Sequence, residues 1–387
     1  MSEQLKQLTG KNNYESTVLH LVNDCDIELF KELVEKDEFL FDFVKRNVSE
    51  RISKVINENN YKNLLEFMKF YSPYYEDVIV ENLVKYADED LTDTILEKFE
   101  NGNDAEKTYA AKYFSYIKDP VCYDCLRANS YSENEYLAQN CASTLASWQD
   151  IESYNEALSK LKSNDDFEKL SAVKFLSAYG NKDAIEPILN AMKNSTMAEN
   201  IAAEIPYIMN LFELLDKYYE DGLLVINYIV NGLGEILPLS VIFDFELFDV
   251  FERLVNNPND SKCAIVLLNA IDKFETLTEN DEYLFDENKD TKNEINDIKK
   301  ILKSADKKEL EKFINSELNE NSPFVFTALD FAKDEFVIRE LLKSNNQTVI
   351  LKTAEVLKKL GNFDETARTV ALLKVTDLNI KSIIRAL

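Results

Sequence analysis

Glycine and proline are scarce in this 387-residue chain, with seven of each, against ordinary shares of roughly 7% and 5%. Hairpins, tight loops and backbone phosphate cradles depend on them, so their shortage predicts a helix-rich fold with short, polar turns. Gly102 and the Gly232/Gly234 pair have neither a Lys-Ser/Thr sequel nor a strand before them, which removes phosphate-loop and dinucleotide fingerprints. Histidine occurs once, as His20 in the apolar run VLHLV, and reads as a core or boundary residue. Without a second histidine the His-x-x-x-His zinc motifs are absent, and Ser-His or Cys-His catalysis could rest only on that one ring. Nothing in the chain rises to an enzyme, and no cofactor is expected.

Basic charge is short as well. Against 44 Lys and Arg stand 71 Asp and Glu, a net charge of −27. Nucleic-acid affinity rests largely on Lys and Arg displacing counterions, so this field disfavours DNA or RNA as the main ligand. It fits solubility, and also the steering of a partner with a basic surface. The first ten residues lack the apolar core of a secretory signal. Five cysteines, an odd number without framework spacing, fit a reducing compartment, and a cytoplasmic location is expected. Long apolar runs are also rare. The exception, residues 222–243 (GLLVINYIVNGLGEILPLSVIF), contains Asn227, Asn231 and Pro238 between acidic flanks. It reads as a buried helix broken near Pro238 and not as a membrane span.

What is present is a chain 45% hydrophobic and 30% charged, apolar enough for a continuous core, and a repeat. The stretches YAAKYFSYIKD, NCASTLASWQD and SAVKFLSAYGNKD superpose when Ala110, Cys141 and Ala172 are aligned. Phe114, Leu145 and Leu176 then coincide, as do Ile117, Trp148 and Tyr179, always at a 31-residue step. Within a unit these positions fall at i, i+4 and i+7, one stripe of a helix, and a small first residue lets a neighbouring helix approach closely. Asp119, Asp150 and Asp183 follow the stripes and are placed to cap second helices, with Pro120 at a favoured first position. The second helices begin VCYDCL, IESYNEAL and AIEPILNAM. One such pair cannot bury its own stripe, and stacking solves that.

Residues 169–193 (KLSAVKFLSAYGNKDAIEPILNAMK) and, more weakly, residues 353–374 (TAEVLKKLGNFDETARTVALLK) resemble short HEAT-like repeats, the kind also found in phycobilisome lyase subunits. The clear resemblance covers about a third of the chain and implies architecture, not activity. The fold it implies is all-α, an α-solenoid of stacked antiparallel helix pairs in a curved superhelix, with second helices lining a concave, partner-binding side. The expected organisation is an irregular helical N-terminal cap with early repeats over 1–103, a HEAT-like repeat solenoid over 104–277, a polar loop or insertion over 278–297, and C-terminal helical repeats over 298–387. Aromatic clusters at Phe39, Phe41, Phe43 and at Phe67, Phe70, Tyr71 mark the N-terminal part.

On the second helices the residues off the stripe are Tyr123, Asp124 and Arg127, then Asn155 and Glu156, then Glu186 and Asn190. If the family geometry applies, these face the partner. The expected function is a non-enzymatic scaffold that binds another protein along the solenoid surface. The alternative is an accessory subunit of an enzyme complex, as the lyase resemblance implies. Cys122, Cys125 and Cys141 lack a fourth ligand and fall at helical core positions, so no metal site is expected. Asp286 to Asp297 mimics a calcium loop but has Thr291 where Gly is needed and Asp297 in place of the closing Glu, and the single Trp148 reads as core.

Overall fold

A computed structural model of the chain describes residues 14–36, 40, 42–256, 260–279 and 289–387. Its regular structure is helical. Among the described residues there is no β-strand, only an isolated bridge between Leu233 and Leu237. Internal contacts divide the chain into two compact units, Met1–Ala157 and Leu158–Leu387.

The 31-residue step is written into the helix starts. First helices begin at Asp42, Pro73, Asp104, Glu135 and Asp166, each 31 residues after the last. The residues just before them explain why they start there. Ser72 accepts a hydrogen bond from the Tyr74 N–H (3.3 Å), Asn134 from that of Leu137 (3.2 Å) and Asp165 from that of Phe167 (2.9 Å). Asn103 and Glu106 form a reciprocal capping box (2.9 and 3.1 Å). Each such cap is worth about 1 kcal/mol. The second helices keep the same step through Asp88, Asp119, Asp150 and Asn181, which accept from Leu91, Val121, Ser153 and Asp183. The third cap expected from sequence therefore moves from Asp183 to Asn181, two residues earlier. The helix before it ends at Gly180 in the left-handed region (φ 75°), and Asp183 itself sits in the short 3-10 turn Lys182–Ala184.

In the first unit the helices Tyr14–Asn23, Asp42–Val55, Pro73–Lys85, Asp104–Tyr116 and Glu135–Ser147 pack in file, each against the next. The stripe positions are Val48, Ile79, Ala110 and Cys141, followed one turn later by Ile52, Leu83, Phe114 and Leu145, none more than 1% exposed. Side chains also read the neighbouring backbone. From one helix Asn140, Thr144 and Trp148 donate to the carbonyls of Thr108 (3.2 Å), Ala111 (2.8 Å) and Phe114 (3.2 Å) on the helix before. Three successive turns are thereby locked in register. Phe30 stacks on Phe67 at 4.5 Å and meets Tyr75 edge-on at 5.7 Å, and all three rings are buried. Phe39, Phe41 and the Phe43 side chain lie outside the described residues.

In the second unit, Asp166–Tyr179 packs on Ala198–Glu204, that on Tyr219–Gly232, and that on Ser261–Glu279. Further on, Val325–Phe331 packs on Gln347–Lys359, and that on Leu378–Ala386. The helices Gln347–Lys359 and Leu378–Ala386 begin 31 residues apart. A matching tie joins neighbours at both ends of this unit. Asp166, the first residue of its helix, accepts from the Thr196 N–H (2.8 Å), and Gln347, also a first residue, accepts from Thr376 and Asp377 (2.6 and 2.8 Å). Between these stretches the period is lost, and a buried amide ladder takes its place. Asn227, 2% exposed, donates to Thr327 (2.9 Å), and Asn269 donates to both Asn227 (3.0 Å) and Asn231 (2.8 Å).

Two further expectations are corrected. The apolar segment does break, but at Gly232 and not at Pro238. Gly234 turns the chain at φ 74°, and Leu237 N–H and Gly234 N–H close a tight loop onto the Gly232 and Leu237 carbonyls. No described helix is long and apolar enough to cross a membrane. Of the polar stretch 278–297, residues 280–288 lie outside the described residues, and the rest of its second half belongs to the helix Lys289–Lys303. Ile295, Ile298 and Leu302 are buried along one face of that helix. Asp290 and Asp297 of the calcium-loop mimic are thus helical, and Asp286 and Asn288 are outside the described residues.

The close approach at Ala110 makes a direct prediction. Ala110→Leu inserts volume where a helix face is sealed and should destabilise the protein by about 1–3 kcal/mol in urea unfolding. Ala128→Leu, on an exposed helix face, should stay within about 0.5 kcal/mol.

Candidate functional site

The candidate binding residues fall into two groups, one in each unit. Tyr123, Asp124, Arg127, Asn155 and Glu156 belong to the first, Glu186 and Asn190 to the second.

In the first unit, Asp119 starts the 3-10 turn Pro120–Cys122, which leads into the helix Tyr123–Asn129. Tyr123 meets Trp148 edge-on at 5.0 Å, and the Arg127 guanidinium lies 5.3 Å from the Tyr123 ring. Arg127 is bidentate to Asp150, Nε to Oδ2 at 3.1 Å and Nη2 to Oδ1 at 2.6 Å, and its Nη1 reaches Glu152 at 2.7 Å. Asp150 also accepts from the Ser153 N–H (3.1 Å) and hydroxyl (2.6 Å). Lys118 donates to the Trp148 carbonyl (3.2 Å). Tyr123 and Arg127 are therefore parts of the joint between one helix pair and the next. Burial by itself would raise the Asp150 carboxyl, but the hydrogen bonds from Arg127 and Ser153 outweigh it and hold the group below the usual aspartate range. Asp124, Asn155 and Glu156 are exposed.

In the second unit, Glu186 and Asn190 line an open groove of about 680 Å³. Its floor is apolar, from Leu158, Leu161, Pro187 and Ala191, and its rim carries Lys162, Asn164 and Asp183. One wall is the end of the helix Ile151–Lys160 and the turn after it; the other is the helix Ile185–Lys193. Lys169 also borders the groove but is 7% exposed, its ammonium held by Asp166 Oδ1 (2.8 Å) and the Asn194 carbonyl (3.1 Å). Asp183, Glu186 and Lys162 make no ion pair among the described residues.

Other candidate chemistry is weaker. The Cys122 thiol is buried and donates to the Asp119 carbonyl (3.0 Å), and burial pushes it up to about 12. Burial raises Cys125 and Cys141 too, which opposes thiolate formation. No group of three or more His, Cys, Asp or Glu among the described residues could hold a metal ion. His20 is exposed and not a core residue. Its ring bonds Asp24 (2.5 Å) and Asp26 (3.2 Å), and the Asp24 contact, more than any other, raises its pKa. Trp148 is buried, as expected.

Sequence reasoning did not find Leu158, Lys162 or the role of Asp150 as anchor for Arg127. The signal for the groove was the 31-residue step itself, since successive second helices at that spacing leave a furrow between them. Compared with protein-family models and with curated proteins, the chain finds no match.

The joint predicts a pH-dependent effect. A depressed native carboxyl stabilises the fold above its unfolded pKa, near 4, and that contribution is lost as pH falls through the native value. Arg127→Met should therefore cost about 1 kcal/mol at pH 7, and the deficit should shrink as pH falls below the unfolded aspartate pKa of about 4, followed by urea unfolding with Trp148 fluorescence as the probe.

Proposed function

We propose that the chain is a HEAT-like α-solenoid that serves as a non-enzymatic scaffold, holding a partner protein along the surface of its second helices. The observation that carries this reading is the run of five first helices started by one 31-residue step. A helix pair repeated in this way makes an extended surface in which each unit contributes a similar element. Exposed carboxylates at the second helices of each unit, Asp124 in the first and Asp183 and Glu186 in the second, favour a partner with a basic face, while −27 net charge opposes a phosphate backbone. Tyr123 and Arg127 are half-buried and engaged with Trp148 and Asp150 at the joint.

The test is affinity capture of the tagged full chain from its native lysate at low and moderate salt. A defined basic protein should be retained at low salt, weakened at moderate salt, and lost when Asp124, Glu186 and Asn190 are all changed to Arg. Retention of the wild type on heparin, or co-purification of a tightly held coloured small molecule with no protein, would overturn the scaffold reading.

A further inference from the structure

We infer that the groove between residues 158–164 and the helix Ile185–Lys193 takes an extended segment of the partner, a lysine or arginine flanked by apolar side chains. The inference rests on the scaffold reading and adds to it a site and a ligand chemistry. Asp183 and Glu186 stand three residues apart and are exposed, without a cationic partner among the described residues. Asp183, in the turn that leads into the helix, and Glu186, in its first turn, both line the groove, so the two carboxylates present one anionic wall. Two lysines line the groove as well: Lys169 does not offset the carboxylates, because Asp166 and the Asn194 carbonyl already hold it, and the exposed Lys162 forms no ion pair with either of them. A basic side chain is the group that complements such a wall, and an anion is repelled by it.

The remaining lining argues for a polypeptide. Leu158, Leu161, Pro187 and Ala191 give an apolar floor, suited to the side chains on either side of the base. Asn164 and Asn190 border the groove, and each amide carries both a donor and an acceptor, the pair that a peptide bond presents. Lys162 on the opposite wall can donate to the carbonyls of the same segment. The helix Ile185–Lys193 has nine residues, about 13 Å at 1.5 Å per residue. An extended chain rising about 3.3 Å per residue would lay roughly four residues along it.

The experiment uses the full chain and fluorescein-labelled nonapeptides with Leu-Arg-Leu at the centre and varied flanks, against the same peptides with Leu-Glu-Leu. Fluorescence anisotropy should show Arg-centred peptides binding about tenfold more tightly or better. Asp183→Lys combined with Glu186→Lys should weaken them by about tenfold or more, and Asn190→Trp, which fills the groove without changing charge, should do the same. The control Glu252→Lys with Glu355→Lys, exposed elsewhere in the same unit, alters net charge equally and should leave binding unchanged. Circular dichroism on each variant confirms that it is folded. Equal weakening by the groove pair and the control pair would show diffuse charge attraction and overturn the site. Absence of peptide binding while the lysate partner is still captured would overturn the groove and leave the scaffold standing; loss of both would remove the two readings together.

Discussion

One constraint organises the first unit: each first helix carries an apolar stripe that its own pair cannot cover, so it is sealed by the helix 31 residues along. In the first unit the sealing positions are Val48, Ile79, Ala110 and Cys141, with Ile52, Leu83, Phe114 and Leu145 one turn later. All lie on the file of contacts between consecutive helices. Hydrophobic burial alone would tolerate slippage along such a file, because it is non-directional. The hydrogen bonds from Asn140, Thr144 and Trp148 to the preceding backbone are directional, and they fix the register that burial leaves free. The joint made by Arg127, Asp150 and Tyr123 lies beside that register, with Tyr123 edge-on to Trp148.

How much of this could be read from sequence depended on markers. The step was visible where the stripe begins with Ala110, Cys141 and Ala172, because small residues stand out against their surroundings. It was invisible at Val48 and Ile79, which occupy the same position with ordinary core side chains, so residues 42–103 read as irregular although their helices keep the step. The cap at Asn181 was missed because Asp183 matches the type of Asp119 and Asp150 but not their spacing; position was the better guide. Pro238 drew attention as a helix breaker, yet Gly232 and Gly234 end the helix first, since the left-handed turn at Gly234 is open to glycine at little steric cost. In the polar stretch after 278, charge concealed a helix whose periodic signal, Ile295, Ile298 and Leu302, was available.

The candidate surface was legible in part for the same reason. Off-stripe positions on a second helix were correctly located as lying outside the core for Asp124, Asn155, Glu156, Glu186 and Asn190. Sequence could not tell that Arg127 turns toward the chain's own Asp150, because their pairing spans 23 residues and two turns. Nor could it show the groove, which exists only between helices.

The acidity of the chain gains a structural meaning here. A fold made of many short helices joined by short turns has many unpaired first-turn N–H groups, and aspartate is among the best side chains to satisfy them. Asp26, Asp88, Asp119, Asp150, Asp165, Asp306, Asp334, Asp364 and Asp377 all do so. Part of the net charge of −27 is therefore a by-product of helix starting, distributed along the turns. Net acidity then says little about where a ligand binds. The informative carboxylates are those that neither cap a helix nor meet a cation, and Asp183 and Glu186 are two of them, facing the same apolar groove. Asp183 is spared from capping because Asn181 does that work two residues earlier, so the two-residue displacement of the cap leaves an anionic side chain free on the groove's rim.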